Sequence, residues 1–266
     1  MKRGLILYSN QDATKNRWFI ERCLNELNND QFSLKFYDEN SVQDAFNNDE
    51  SFDFIINRSR NLEIVEAFAK KGTRFFNNIY TNKVANDKYK TYQFFLRNKI
   101  PCIKAYRSIN SVKEYPLIMK SVDGHGGNEV YLINSKEEAI KITNKMSHKK
   151  FIYQNFIKNS GDLRIYVLGN EVIGAVLRQN DQDFRSNYSL GGAVRKYEID
   201  QSLKETAIRI SKLLKADFIG IDFLKVDDGF IANEIEDPVG SRMLYETSNV
   251  DAVGLFINYI KQKMQE

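Results

Sequence analysis

The sequence predicts a mixed protein in which an α/β unit over residues 1–82 is followed by an α+β unit over 83–152 and an antiparallel-sheet unit over 153–266. In the first unit, short apolar stretches alternate with helical patterns, which is typical of a parallel sheet. Glycine is also distributed unevenly, because only Gly4 and Gly72 of the 14 glycines precede position 124. The two halves of the chain are therefore expected to differ in construction.

The first unit is predicted to contain strands at 4–9, 33–38, 52–57 and 74–77. Helical patterns lie between them at 17–29 and 61–72. No GxGxxG motif follows the first strand, so a Rossmann dinucleotide site is not expected.

The second unit begins with a predicted helix that Asn86 can cap and that Pro101 stops. Short strands are predicted at KAYR, PLIMKSV and EVYLI. Ser135 and Glu138 then form a capping box for a helix that ends near Met146.

In the third unit, FIYQNFI, DLRIYVLGN and EVIGAVLRQ are predicted to be antiparallel strands from Phe151 onward, with a tight turn at Gly169. A capping box from Ser202 to Glu205 begins the next helix. The stretches FIGIDFLKV and FIANEIE are expected to pair through a turn at Asp228-Gly229, and an amphipathic helix ends the sequence.

Composition excludes several classes of protein. Lys+Arg 39 against Asp+Glu 35 gives a net charge of only +4, and there is no polybasic tail, so nucleic acid is not an expected partner. Two cysteines and two histidines are too few for a disulfide framework or a histidine-ligated metal, so any metal must be bound by oxygen. No apolar run approaches the roughly 18 residues of a membrane span, and we expect a cytoplasmic location without membrane contact.

Three carboxylates near the end of the sequence form the strongest local signal. Asp222 lies on one predicted strand, and Glu234 and Glu236 are two residues apart on the next, so they share a face. If the strands pair, the three acids converge, and a cation such as Mg²⁺ or Mn²⁺ would neutralise them. The alternative is a solvated outer strand face with its acids in water.

A glycine-rich stretch follows Lys120. Gly124, Gly126 and Gly127 would let backbone N–H groups approach a phosphate, while the lysine supplies a point charge. A glycine-rich hairpin turn explains the same residues. His125 within the stretch is interpreted as a surface residue.

A set of arginines lies between these two signals. Asp162 and Arg164 share a strand face, Arg178 ends the strand that returns beside them, and Arg185 and Asn187 follow in a loop. Guanidinium groups pair with phosphate oxygens, so this set suits a phosphorylated anion. The alternative is that these arginines form surface salt bridges.

In this order, the segments resemble the ATP-grasp enzymes, and most closely the RimK-type glutamate ligases, with similarity to glutathione synthetases as well. The resemblance covers about residues 85–266, some two-thirds of the sequence. It implies an ATP-grasp fold with an N-terminal parallel α/β pre-grasp domain (1–82), a central α+β lid (83–152) and a C-terminal antiparallel-sheet domain with the metal site (153–266). The stretch INRSRN at the third strand is similar to the pre-grasp domain.

The resemblance assigns nucleotide-binding roles to several groups. Lys88 and Lys120 match the two phosphate-binding lysines, and Gly126 and Gly127 lie in the mobile phosphate loop. Other positions that the resemblance assigns to the nucleotide are Gln154, Asn155, Phe156 and Ile157 at the adenine hinge, Asp162 of the D-x-R strand, and Asn187.

It also implies catalytic and metal-binding roles. Arg164, Arg178 and Arg185 are expected to be catalytic, and Asp222, Glu234 and Glu236 take the metal positions. The stretch DFRSNYSLGG, which contains Arg185, is close to the most recognisable loop of the family. The weaker similarity of DPVGSRML to glutathione synthetases implies that Gly240, Ser241 and Arg242 border the acceptor substrate.

The sequence departs from the family pattern at two positions. Glu236 stands where the family usually has Asn, so either the cation site is more acidic or, in another strand register, Asn233 and Glu234 are the ligands. Asn155 stands where a carboxylate commonly reads the adenine amino group.

The resemblance implies an ATP-dependent carboxylate–amine ligase that makes an amide bond through an acyl phosphate. Its cofactors would be ATP and two Mg²⁺ (or Mn²⁺) ions. Its substrates would be a small-molecule amino acid and a carboxylate or peptide acceptor, and the family tends to form homo-oligomers. A non-catalytic nucleotide-binding module is the main alternative, and a basic RNA-binding protein is disfavoured because no aromatic-basic stacking motif is present.

Overall fold

A computed structural model describes residues 1–127, 129–179 and 193–266. Two predicted site residues, Arg185 and Asn187, lie outside these ranges. Within the described residues, the strands form three sheets, one parallel and two antiparallel, which confirms the predicted mixed α/β class.

The N-terminal sheet is parallel with strand order β2-β1-β3-β4. Its strands are β1 (Lys2–Tyr8), β2 (Phe32–Asp38), β3 (Phe54–Arg58) and β4 (Arg74–Phe76). The helices of this part are α1 (Asn10–Lys15), α2 (Arg17–Leu27), α3 (Val42–Asn47) and α4 (Leu62–Ala69). The four predicted strands and two predicted helices are confirmed. The sequence did not indicate α1 and α3, since six residues are too few to show a helical period.

Two further helices, α5 (Ile79–Ala85) and α6 (Lys88–Arg97), lead into the central part. The predicted cap of α6 was wrong by one residue. The Asp87 side chain accepts hydrogen bonds from the N–H groups of Tyr89 and Lys90. Asn86 is instead the C-cap residue of α5. Because α5 was not predicted, the sequence offered two good cap residues and no reason to choose between them.

The central sheet has the order β5-β8-β6-β7. Its elements are β5 (Ala105–Tyr106), a short 3₁₀ helix (Ile109–Ser111), β6 (Leu117–Ser121), β7 (Val130–Ile133), α7 (Lys136–Lys145) and β8 (Phe151–Asn155). The cap at Ser135 is confirmed, since its hydroxyl accepts from the Glu138 N–H at 3.2 Å. The prediction that grouped β8 with the following strands was wrong, because β8 pairs with β5 and β6.

The C-terminal sheet has the order β11-β10-β9-β12-β13. Its strands are β9 (Asp162–Leu168), β10 (Glu171–Gln179), β11 (Ala193–Lys196), β12 (Phe218–Val226) and β13 (Gly229–Glu236). The last two strands pair as predicted, but Val226 lies opposite Gly229, so the turn residues are Asp227 and Asp228.

Three helices complete the C-terminal part: α8 (Gln201–Leu214), α9 (Arg242–Thr247) and α10 (Ala252–Lys263). The predicted cap of α8 at Ser202 was wrong, because Asp200 accepts from the Leu203 N–H at 2.7 Å. The final amphipathic helix is confirmed, whereas α9 was not predicted.

The N-terminal and C-terminal sheets share one hydrophobic core. It contains Tyr8 and Phe54 from the first sheet, Tyr166 and Phe218 from the last, and Phe256 of α10. The central sheet has its own smaller core against α7. This packing leaves a cleft where the three sheets meet. No helix in the described part of the chain is long and apolar enough to span a membrane.

Candidate active site

A cavity of about 330 Å³ lies where the three sheets meet. The predicted site residues of the described part line it, together with residues at the carboxyl ends of β1 and β3. The fold therefore brings together side chains from nearly the whole length of the sequence, from Tyr8 to Met243.

The two predicted phosphate-binding lysines lie on either side of one carboxylate. Lys120 Nζ, on β6, is 3.1 Å from Glu234 Oε1 and donates to Asn233 Oδ1 at 3.0 Å. Lys88 Nζ lies 3.8 Å from Glu234 Oε2 and donates to the Gly124 carbonyl. The Asp87 cap fixes the first turn of α6, and the Lys88 N–H donates to the Val122 carbonyl at 3.0 Å, so the backbone of Lys88 is held firmly.

A buried row of arginines and acids crosses the C-terminal sheet. Arg164 lies directly opposite Asp222 and donates to both of its oxygens at 2.7 Å, from Nε and Nη2. The same Nη2 is 2.7 Å from Glu236 Oε1. Arg178 Nη2 is 2.7 Å from Asp222 Oδ2 and 2.6 Å from Asp162 Oδ1. The alternative of exposed salt bridges is thereby excluded for Arg164 and Arg178, which are 7% and 3% exposed.

These contacts shift the pKa values of the acids in opposite directions. Burial would raise the pKa of Asp222, but the guanidinium groups of Arg164 and Arg178 hold it well below its usual range. Burial likewise opposes ionisation of Glu234, yet Lys88 and Lys120 lower the pKa of that carboxyl. Burial raises the pKa of Asp162, since Arg178 offsets it only in part and Asp222 adds repulsion.

The three predicted metal ligands lie near one another, but each one contacts a cationic side chain. Asp222 pairs with Glu234 across β12 and β13, and Glu236 lies opposite Gly220. In this side-chain arrangement, no group of three acid, histidine or cysteine side chains among the described residues could hold a metal. The donor chemistry still suits Mg²⁺ at Glu234 and Glu236, whose side chains are 24% and 26% exposed. Asp222 differs because guanidinium groups occupy both of its oxygens.

A β-bulge in β13 brings Asn233 and Glu234 to the same side, as in the alternative strand register that the sequence left open. The pairing shifts between Asp222 and Phe223, so that Asn233 has no direct partner on β12. Consecutive residues of a regular strand point to opposite faces, but both Asn233 and Glu234 reach Lys120 here. A simple alternation of side chains could not have predicted this.

The predicted adenine hinge ends β8. Gln154 lies opposite Ile118, is 5% exposed, and its Oε1 has no hydrogen-bond partner among the described residues. It lines the cavity together with Ile103, Ile118 and Leu224, whereas the neighbouring Asn155 is exposed. This end of the cavity therefore combines apolar side chains with the buried amide of Gln154, which is suited to a flat heterocyclic base.

The predicted phosphate loop borders the same cavity. Gly126 and Gly127 have φ angles of 70° and 78°, a left-handed conformation that glycine adopts without strain. His125 is exposed, as predicted, and lies at the cavity edge.

Sequence reasoning missed the contribution of the N-terminal sheet. Arg58 and Arg60 line the cavity from the end of β3, and Arg60 Nη1 pairs with Asp12 Oδ2 of α1 at 2.7 Å. Gly240 and Arg242, which the resemblance placed beside the acceptor, line the same region. A usable signal was the position of INRSRN at the carboxyl end of a parallel strand, where ligands commonly bind.

Comparisons with known proteins identify the family and the fold. The protein-family model for the RimK-like ATP-grasp domain matches residues 85–260 of the sequence. An uncharacterized protein of Mycoplasma pneumoniae is 31% identical over 255 residues, which cover 91% of this chain and 86% of that protein. A probable alpha-L-glutamate ligase of Haemophilus influenzae is 28% identical over 261 residues, covering 90% and 86%. Human N-acetylaspartylglutamate synthase A is 36% identical over 150 residues, covering 54% and 38%.

Solved structures share the whole fold at low identity. A D-alanine–D-alanine ligase from Bacillus anthracis with ATP superposes with a TM-score of 0.75 at 12% identity, covering 100% of this chain and 97% of that one. The ATP-grasp ligase PsnB bound to a minimal precursor gives 0.71 at 16% identity, covering 99% of each chain. The fold is thus that of the ATP-grasp enzymes. Within them, the chain belongs to the RimK-like ATP-grasp family, which confirms the resemblance and makes the protein an ATP-grasp carboxylate–amine ligase by class.

Proposed function

We propose that this protein forms an amide bond between a carboxylate and an amine by way of an acyl phosphate, with ATP as the phosphoryl donor. The convergence of Lys88, Lys120 and Glu234 beside the buried Arg164–Arg178 pair carries this proposal. Phosphoryl transfer depends mainly on positioning of the reactants and on neutralisation of the phosphate charge. The lysines and arginines of this cleft are suited to both tasks.

In the proposed reaction, a carboxylate oxygen of the first substrate attacks the γ-phosphorus of ATP, and the bond to the bridging oxygen breaks to release ADP. The amine of the second substrate then attacks the acyl carbon. Phosphate leaves with the bonding electron pair, and the nitrogen loses a proton to give the amide. No nucleophilic side chain is needed, so the protein contributes orientation and electrostatic stabilisation.

The lysines and arginines have separate tasks in this proposal. Lys88 and Lys120 would release Glu234 and bind the polyphosphate, while Gln154 and Ile157 contact the base. Arg164 and Arg178 are already held in place by Asp222, so they can stabilise the acyl phosphate without reorganising. Arg185 and Asn187, which lie outside the described residues, keep their predicted roles beside the phosphates.

Glu234 and Glu236 would hold the divalent cation, Mg²⁺ or Mn²⁺, and we expect two ions. A bound cation would neutralise negative charge on the phosphates. Asp222 was predicted as a third ligand, and we propose instead that it holds the two arginines in place.

The names of similar proteins point to the substrate class. They mention glutamate, N-acetylaspartylglutamate and a precursor peptide. We therefore propose an amino acid as the amine and a small carboxylate or peptide as the acceptor, in the cytoplasm.

The proposal is tested by ADP and phosphate release from ATP and Mg²⁺ with pairs of amino acids and carboxylates or peptides, with mass spectrometry of the products. Replacing Lys120 by Ala or Glu234 by Gln should lower kcat by about 100-fold, since each removes a group that would act on the transferred phosphoryl. The matched control is Glu246→Gln, an exposed residue of α9. Unchanged turnover in both cleft variants would refute the assignment.

A second candidate is a nucleotide-binding module without turnover. The observation that favours it is that each predicted metal carboxylate already contacts an arginine or a lysine. It becomes the better account if ATP binds with Mg²⁺ but no substrate pair increases ADP release.

A further inference from the structure

The cavity extends beyond the nucleotide region to the carboxyl edge of the N-terminal sheet. Tyr8 and Arg58, the last residues of β1 and β3, lie at this end. The segment that follows β13 faces them, and it includes Gly240 and Arg242. This acceptor end of the cleft is thus built from the first and the last parts of the chain.

Arg58 is a buried cation that forms no ion pair with an acid of the described residues. It is 6% exposed, and its guanidinium donates to Tyr8 Oη at 3.1 Å and to the Val239 carbonyl at 2.8 Å. It also lies 4.7 Å from the ring centroid of Phe19. Across the described ranges, no carboxylate forms an ion pair with it. Burying a charge without a counter-ion is unfavourable, so a ligand that supplies one would be bound favourably.

Asp237, a buried acid that directly follows β13, has partners other than Arg58. Its oxygens accept from the side-chain amides of Asn77 at 2.8 Å and Asn82 at 3.3 Å. Both of its oxygens are therefore engaged by amide groups, and it forms no ion pair with Arg58.

The charges that line the cavity are segregated along its length. Among the described lining residues, the acceptor end carries Arg58, Arg60 and Arg242 against one acid, Asp12. The nucleotide end has more acids than cations: Lys88, Lys120, Arg164 and Arg178 face Glu129, Asp162, Asp222, Glu234 and Glu236. The acceptor end is thus the part of the cleft with an excess of positive charge.

The acceptor end also has room for a ligand. A Cβ atom added to Gly240 would meet nothing within 4 Å, so there is open space beside the Val239 carbonyl that Arg58 holds. Arg242 is exposed and makes no hydrogen bond or ion pair with any other described residue, so its guanidinium can turn into this space.

We infer that Arg58 and Arg242 bind a second carboxylate of the acceptor substrate, separate from the carboxylate that is activated. Planar guanidinium groups match a carboxylate with paired hydrogen bonds. The inference rests on the proposed function for its distinction between the two carboxylates. It makes the INRSRN segment of the N-terminal sheet a specificity element that selects diacids over monoacids.

Calorimetry on the full chain tests this inference directly, without turnover. The probes are dicarboxylates and tricarboxylates of four to six carbons, free and N-acetylated, each compared with the analogue in which one carboxylate is a neutral amide. With a non-hydrolysable ATP analogue and Mg²⁺ present, the wild-type protein should bind diacids about 10- to 100-fold more tightly than their amides.

Arg242→Ala should abolish most of this preference while the Kd for the nucleotide changes by less than about twofold, since its exposed side chain makes no hydrogen bond or ion pair with another described residue. Arg58→Gln should do the same, and Gly240→Val should weaken both probe types by filling the space. The matched control is Arg97→Ala, which removes one exposed arginine on α6 far from the acceptor end.

Equal binding of diacids and amides by the wild-type protein, or no binding of any probe, would overturn the inference. The inference would also be overturned if the single variants Arg242→Ala and Arg58→Gln both kept the wild-type preference for diacids over amides. Failure of the proposed ligase activity would be seen separately, as an absence of ADP release with intact diacid binding.

Discussion

At the scale of single residues, the cleft is an arrangement of mutually neutralising charges. The sequence indicated which acids share a face, because the strand period fixes this for Glu234 and Glu236. It could not indicate that Arg164 lies opposite Asp222, since that pairing joins β9 to β12 across 58 positions and two intervening strands. The sequence therefore predicted which acids lie in the cleft, but only the structure identifies the side chains that pair with them.

These partners change the expected behaviour of Asp222. It is 3% exposed and holds two buried guanidinium groups. Removing one partner of a buried ion pair leaves the other charge uncompensated, so Asp222→Ala should lower the free energy of unfolding by about 3 kcal/mol or more. Urea denaturation measures this loss.

Glu236→Gln provides the comparison. Its side chain is 26% exposed and, within the described ranges, its ion pair is with Arg164, which keeps Asp222 as a partner. We expect a loss below about 1 kcal/mol. Equal stability of the two variants would contradict the structural role given to Asp222.

At the scale of elements, the long and strongly patterned segments were predictable and the short ones were not. The strands of the parallel sheet and helices α2 and α4 follow from apolar periodicity. The sheet to which β8 belongs did not follow, because consecutive antiparallel strands usually pair and β8 instead joins β5 and β6. The adenine hinge is thus the point where the chain leaves one sheet for another.

The cap of α6 links this scale to function. Asp87 accepts from two backbone N–H groups at 3.0 Å, and the next residue is Lys88. Asp87→Ala should cost about 1 kcal/mol of stability and should also weaken ATP binding, because the first turn of the helix no longer holds the lysine in place. Urea denaturation and calorimetry with ATP measure the two effects.

Asn86→Ala is the control for this prediction. Asn86 ends α5 and donates to the Asn82 carbonyl at 3.0 Å, so its loss should affect stability but leave ATP affinity within about twofold. If both variants weakened ATP binding equally, the cap would not be the cause.

At the scale of the whole molecule, two of the three sheets pack on a common core and the central sheet packs on a separate one. Helix α10 and the N-terminal and C-terminal sheets share one core, which the sequence could not reveal because it joins the two ends of the chain. The central sheet packs on a separate core with Leu117, Met119 and Phe151 among its buried residues. The boundaries at 82/83 and 152/153 remain predictions, but the two cores suggest that the central part can open as a unit over a stable base.

Hydrogen–deuterium exchange read by mass spectrometry tests this organisation. Peptides from β6 and β7 should exchange faster than peptides from β9 and β12, because local opening follows the smaller core. A non-hydrolysable ATP analogue with Mg²⁺ should then slow exchange over 117–127, where Lys120 and the glycine loop would close on the phosphates. Uniform exchange across the sheets, or protection confined to the N-terminal sheet, would show that the central part does not move separately over the nucleotide.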